Sequence, residues 1–305
     1  MFIKRSIKEV LWGYEEPLVV GATMVLPEDE IKVPGHFGLL AGRNMSSEGE
    51  YTTWGGGGHG GLGDLGRVTA WKGQRRFHAW KTEECNAVRG GEGSQFPPGL
   101  TRQSKPSIFV PALCRPLDLV YVENKYVGGV KTLLFEPDPE VFNYSNPHNN
   151  CYCQGQANCS DNGVFYVSPC KFGAPLVVSW PHFLDAPHHQ NRVAGLKPRD
   201  KHHRFRILIQ PVMGMGLSAS VRLQLNLDLM KVDNLPPFDK LPVQRLLVPV
   251  IWFENTIQEP PEILLVLLKD ALALPGIVAR GSATLFAGEL SSALSLSLIT
   301  YSLQF

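Results

Sequence analysis

Alternation of apolar and polar positions is the clearest signal in the chain. Val221, Leu223, Leu225, Leu227 and Leu229 alternate without a break with Arg222, Gln224, Asn226 and Asp228, the period of two that sends successive side chains to opposite faces of a strand. One face of this strand is wholly aliphatic and the other wholly polar, and burying five such aliphatic side chains is worth on the order of 10 kcal/mol gross, before entropy. With apolar runs at 205–210 and 246–253 on either side, the segment predicts adjoining walls of a large antiparallel sheet or barrel. Two shorter runs, 117–122 and 127–135, are divided by Glu123, Asn124 and Lys125 and predict a hairpin turning there.

Helical periods are short. Phe2, Ile3, Ile7, Val10 and Leu11 recur at steps of three and four, which predicts a short amphipathic helix stopped by Gly13 and sealed by Pro17. Pro260-Pro261 ends the sheet region, and 263–274 is a helix-compatible apolar stretch interrupted by Lys269 and Asp270. Beyond it, residues 281–305 carry one charge, Glu289. A span at about 281–303 is therefore marginal, because a carboxylate near its centre costs roughly 2.5–3.5 kcal/mol on insertion scales.

Composition narrows the class. At 305 residues, 44% hydrophobic and 19% charged, the chain can bury a large core and is neither disordered nor collagen-like. Thirty glycines and 24 prolines imply many turns and short extended pieces rather than long helices. A net charge of +1 gives no basis for nucleic-acid binding; the nearest basic cluster, Lys201, His202, His203, Arg204 and Arg206, reads as the solvated lip of a strand. The glycine run after Trp54 has no Lys-Ser/Thr behind it and reads as a hairpin tip, not a phosphate cradle. No G-x-S-x-G, H-E-x-x-H or dinucleotide fingerprint occurs, so neither catalytic residues nor a cofactor is expected.

The six cysteines, Cys85, Cys114, Cys151, Cys153, Cys159 and Cys170, lie within one stretch. None forms the C-x-x-C knuckle of a zinc ribbon or finger, so a disulfide staple is expected and a metal site is not. Disulfides persist in oxidising spaces, which places this region outside the cell or in a lumen. The sequons at Asn44, Asn143 and Asn158 agree with that. Residues 1–8 carry three basic side chains and no apolar run long enough for a signal peptide. The expectation is a fragment whose true start lies upstream, or an incorrect start. Spacing alone leaves the fifteen possible cysteine pairings open.

Several rare words stand beside these cysteines. Leu11-Trp12-Gly13-Tyr14-Glu15-Glu16-Pro17-Leu18, Cys85-Asn86 followed by Gly93-Ser94-Gln95-Phe96-Pro97-Pro98, Cys151-Tyr152-Cys153, Pro181-His182-Phe183-Leu184, Arg222-Leu223-Gln224-Leu225-Asn226 and Val248-Pro249-Val250-Ile251-Trp252-Phe253 occur in this order. In these the chain resembles the class B scavenger receptor family, collinearly over about 10–274. The resemblance implies a mainly β fold with short helices, a large antiparallel β-barrel-like ectodomain pierced by a hydrophobic tunnel and flanked by two membrane spans. On that pattern, 1–262 is an N-terminally truncated portion of the ectodomain, stapled over 85–170, and 263–305 is a juxtamembrane helix with a possible C-terminal span. The implied pairing is Cys85 with Cys151, Cys114 with Cys170, and Cys153 with Cys159.

The implied function is that of a membrane-anchored receptor that binds lipids or lipoproteins and passes fatty acids, sterol esters or carotenoids through the tunnel to the membrane. Val221, Leu223, Leu225 and Leu227 are candidate tunnel wall, against the plainer reading that they fill a core. The expected location is the plasma membrane with an extracellular ectodomain. The alternative is a lysosomal receptor with a lumenal ectodomain that binds a protein partner and releases it on acidification. His188-His189 and His202-His203 are the candidate pH sensors in that case, set against a reading as solvated loop residues.

Overall fold

The computed structural model describes residues 4–15, 36–38, 41, 49–55, 61–153, 159, 161–171, 173–236, 238–257 and 260–273. Its strands are β1 (Tyr14–Glu15), β2 (His36–Phe37), β3 (Tyr51–Thr53), β4 (Val68–Trp71), β5 (Ser107–Val110), β6 (Arg115–Val127), β7 (Val130–Pro137), β8 (Val164–Tyr166), β9 (Leu176–Ser179), β10 (Arg206–Gln210), β11 (Met215–Met230) and β12 (Arg245–Ile257). The α-helices are α1 (Ile7–Trp12), α2 (Glu83–Asn86), α3 (Pro187–Gln190), α4 (Asp200–His203) and α5 (Glu262–Ala273). The protein is thus mainly antiparallel β with short helices and a C-terminal helix.

Two compact units are distinguished, Met1–Glu50 with Met230–Arg245, and Tyr51–Leu229 with Leu246–Phe305. In the first, Ser6 and Glu9 form a capping box on α1 and Gly13 ends the helix at φ 118°. That glycine is where the sequence stops the helix, although Ile7 is largely exposed rather than part of a buried stripe.

The larger unit holds an eight-stranded sheet in the order β5-β6-β7-β10-β11-β9-β8, with β12 also on β11. The period-two segment is β11. Its length lets it serve three neighbours: β10 along residues 215–220, β9 along 224–227, and β12. The path is open, with β5 at one end and β8 at the other, and no pairing closes it into a barrel among the described residues.

The β6–β7 hairpin turns later than its sequence suggests. Val127 pairs with Val130, so the loop is Gly128-Gly129, with φ of 52° and 84°. Two-residue hairpin loops need positive φ at both positions, which glycine supplies without steric cost. Glu123, Asn124 and Lys125 instead continue β6, opposite Leu134, Leu133 and Thr132. Gly128 has a second role: a methyl group there would collide with Leu265 of α5. The bare turn lets α5 seat Leu264, Leu265 and Leu268 against Val127, Val130, Met215 and Leu217.

The main core lies between the sheet and the cysteine-rich segment. Phe135, Phe165, Phe183, Ile207 and Leu119 are fully enclosed within it. Its aromatic members interlock, Phe142 lying 4.9 Å from Trp180 and Trp80 5.2 Å from Tyr152 between ring centroids. Such pairs add about 0.5–1.5 kcal/mol each beyond the area they bury.

Candidate functional site

On β11 the aliphatic face does not bury uniformly. Leu223 is enclosed in the main core, whereas Val221 and Leu225 pack against it half-buried; Leu227 is also half-buried. Leu225 lies opposite Val178 and Leu227 opposite Leu176 on β9.

The polar face sits deeper. Gln224 is 2% and Asn226 0% exposed, which buried amides tolerate only when their hydrogen bonds are made. Asn226 Nδ2 donates to Val177 O and Ser179 Oγ, both at 3.1 Å. Gln224 Nε2 donates to Asn226 Oδ1 at 2.8 Å, and its Oε1 accepts the His182 backbone N–H at 2.8 Å. This network pins the Pro181-His182-Phe183-Leu184 word. His182, Phe183 and Asp185 hold φ of 56°, 53° and 69°, a left-handed conformation costing roughly 1–2 kcal/mol per non-glycine residue. Surrounding contacts must over-determine such residues, and the Gln224 bond is one of them.

Above that turn the His182 and His203 rings stack at 4.4 Å with 17° between planes, and Trp252 of β12 stands edge-on to His203 at 5.7 Å. His182 Nδ1 accepts the Lys197 N–H and His203 Nδ1 the Arg199 N–H. Burial lowers the pKa of both, and His203 is lowered further by His182, His202, Arg222 and Arg199. Both imidazoles are therefore held neutral. The histidine pairs are not simply solvated: His189 and His203 are buried, while His188 and His202 are exposed. His188 and His189 meet Asp161, a residue the sequence reading passed over.

The basic run around Arg204 is likewise no bare cationic lip. Arg204 makes a bidentate pair with Asp185 at 2.8 and 2.9 Å, and Arg206 binds Glu136 at 2.8 Å. Asp200 bridges the two arginines.

The cysteines join Cys85 to Cys151, Cys114 to Cys170 and Cys153 to Cys159, with Cα separations of 6.4, 6.2 and 5.6 Å. A cavity of about 570 Å³ opens beside Cys85 and Cys151, with Arg115, Tyr152, Lys81 and Arg89 in its wall. Arg115 is 4% exposed and ion-paired to no carboxylate among the described residues. Its guanidinium donates to Pro116 O, Val141 O and Asn149 Oδ1 at 3.1–3.2 Å and lies 3.9 Å from the Tyr152 ring centroid. Burial pushes its pKa down. With Glu84, Asp118, Asn149 and Asn150 also in it, this wall is polar and of mixed charge, unlike the apolar conduit that the sequence resemblance implies.

Of the sequons, Asn143 is half-buried at the end of a 3-10 turn. Its Nδ2 donates to Glu140 and its Oδ1 accepts the Ser145 N–H. Asn44, Asn158 and the expected span at 281–303 lie outside the described residues. No described helix is long and apolar enough to cross a membrane.

Comparison with known proteins adds an independent line. The family model described as CD36 family matches residues 1–300. The chain is similar to scavenger receptor class B member 1 of Mus musculus, 33% identical over 261 residues, covering 84% of this chain and 49% of that protein. The Bos taurus protein of the same name is 32% identical over 261 residues, with the same coverage. Lysosome membrane protein 2 of Homo sapiens is 25% identical over 259 residues, covering 84% of this chain and 52% of its own length. The chain spans about half the length of the curated relatives it matches.

Proposed function

Because the chain belongs to the CD36 family, we propose that it is the C-terminal part of the ectodomain of a membrane-anchored scavenger-type receptor. In this reading the receptor binds lipids or lipoproteins and passes lipid through an apolar tunnel to the bilayer. Residues 1–262 belong to a barrel-like ectodomain whose remaining strands come from outside this chain. Residues 263–305 supply a juxtamembrane helix and, at about 281–303, a second membrane span. The scavenger receptors of this family are not enzymes.

The observation that carries the proposal is the 33% identity to a class B scavenger receptor across 84% of the chain. The half-buried aliphatic side chains of β11 fit it. A conduit for acyl chains needs apolar walls that keep accessible surface, since each methylene removed from water gains about 0.8 kcal/mol. Val221, Leu225 and Leu227 have such surface, whereas Leu223, on the same face, is buried. The glycosylation sites Asn44, Asn143 and Asn158 and the disulfides suit an extracellular setting at the plasma membrane.

Lipid transfer by the full-length receptor carrying Leu225→Trp tests the wall. An indole at this half-buried position is expected to obstruct the conduit and slow transfer while particle binding persists. Unchanged transfer by a normally folded variant removes Leu225 from the path. The neutral His182–His203 stack supports a second reading, a lysosomal receptor that releases a protein partner on acidification. Partner affinity equal at neutral and endosomal pH would rule that reading out.

A further inference from the structure

Consecutive residues on a helical turn point about 100° apart and do not ordinarily face one another. On the single turn of α3, His188 and His189 nevertheless bring both Nε2 atoms to the same oxygen, Asp161 Oδ1, at 2.7 and 2.8 Å. Their ring centroids are 4.1 Å apart, and the ligating atoms of all three residues lie within 4.8 Å of one another. Asp161 Oδ2 accepts the Tyr166 hydroxyl proton at 2.5 Å, which leaves Oδ1 turned toward the imidazoles. Neither lysine nor arginine pairs with this carboxylate among the described residues. Burial works against its ionisation, yet hydrogen bonds from His189, Tyr166 and His188 hold its carboxyl well below the usual carboxylate range.

We propose that Asp161, His188 and His189 form a binding site for a divalent transition-metal ion, zinc foremost, through Asp161 Oδ1, His188 Nε2 and His189 Nε2. Two imidazole nitrogens and one carboxylate oxygen are a zinc- or copper-type donor set; calcium and magnesium take oxygen ligands. Around a tetrahedral ion with bonds of about 2.0–2.2 Å, neighbouring donors sit roughly 3.3–3.5 Å apart. The two Nε2–Oδ1 separations, 2.7 and 2.8 Å, therefore open by roughly 0.5–0.8 Å on binding. His188 gives most of the room, because its side chain is 45% exposed, whereas His189 and Asp161, at 5% and 16%, are more enclosed and part by a small turn of the rings and carboxylate. The exposed side is also the path by which an ion enters, and three protein ligands leave a fourth position for water or a partner's side chain. Tyr166 acts from the outer shell, orienting the carboxylate.

The position in the fold gives such an ion work to do. Asp161 stands just before β8, the end strand of the sheet among the described residues, and the histidines follow β9, its neighbour in the strand order. A metal here clips the approach to the edge strand onto the exit of the strand it pairs with.

The test uses the full chain, secreted into oxidising medium without a histidine tag and stripped with EDTA. Zn²⁺ is titrated in by calorimetry at neutral pH, and thermal unfolding is followed with and without the ion. One ion per chain and an upward shift in Tm are expected, since a ligand of the folded state alone stabilises it. His188→Gln, an exposed change that leaves the Asp161–His189 contact in place, should weaken binding at least tenfold. Asp161→Asn should abolish the Tm shift, and His202→Gln, at an exposed histidine elsewhere, should change neither readout. Absence of saturable Zn²⁺ binding to the unsubstituted chain overturns the proposal, and so does undiminished affinity in His188→Gln. If Asp161→Asn fails to fold, His188→Gln decides the question alone.

Discussion

Replacing Asn226 by leucine strikes the buried polar face of β11 at its centre. The substitution removes an amide that is fully enclosed and that makes three hydrogen bonds, two as donor and one as acceptor. Each buried polar group left without its partner costs about 1–3 kcal/mol. Gln224 Nε2 falls back on a 3.3 Å contact with Ser179 Oγ, and Val177 O loses a donor, so Asn226→Leu should destabilise by about 2–4 kcal/mol. Replacing the whole network together, with Ser179→Ala, Gln224→Leu and Asn226→Leu, should cost less than the three single changes summed, because no member then strands another. Guanidinium unfolding followed by tryptophan fluorescence measures this, the buried Trp180 lying next to Ser179 in sequence. A single-variant loss within about 0.5 kcal/mol of zero, the range of surface substitutions, would refute the reasoning. It would mean that water already solvates this face.

The bridges should differ in weight. On a chain-entropy account, removing Cys114–Cys170, at a separation of 56 residues, costs about 4 kcal/mol, and removing Cys153–Cys159, at 6, about 2 kcal/mol; equal losses in denaturant titration of the paired Cys→Ala variants would contradict it. Stability should also fall on mild acidification. His182 and His203 have pKa values depressed by folding, so the unfolded chain takes up protons first; their contribution is complete above the unfolded value of about 6.5 and is lost as pH falls through it toward the folded values. Asp200 and Glu254, held below their usual range by Arg204 and Arg222 despite burial, lose their contribution only as pH falls below about 4. Tm measured against pH should therefore drop in two steps, and His203→Asn, whose Oδ1 can still accept the Arg199 N–H, should flatten the first; a profile level down to pH of about 4.5 would count against the neutral stack.

Periodicity exposes which side chains share a face but not which face is inside. The alternation from Val221 to Leu229 marks β11 clearly, yet nothing local says that Gln224 and Asn226 meet Ser179, 45 and 47 residues earlier in the chain. The β6–β7 turn is hard to place from sequence for a related reason: three polar residues at 123–125 look like a loop, whereas the conformational demand falls on Gly128 and Gly129. Asp161 is 27 and 28 residues from the histidines it meets and sits in no motif, so its role emerges only once β8 and β9 are paired. The tunnel proposal rests on the family words, because a conduit wall and a core wall have the same composition.

Cys114 lies inside the segment closed by Cys85–Cys151, and its partner Cys170 lies outside it. The two long bridges therefore interleave. A protease that severs any one peptide bond between residues 86 and 169 still leaves both pieces held by at least one disulfide. Cutting opens the backbone there without parting the molecule, so the fragments separate only when a reductant follows the protease. In an oxidising setting, where disulfides persist, that turns a nick from a loss of one piece into a scar the protein can carry.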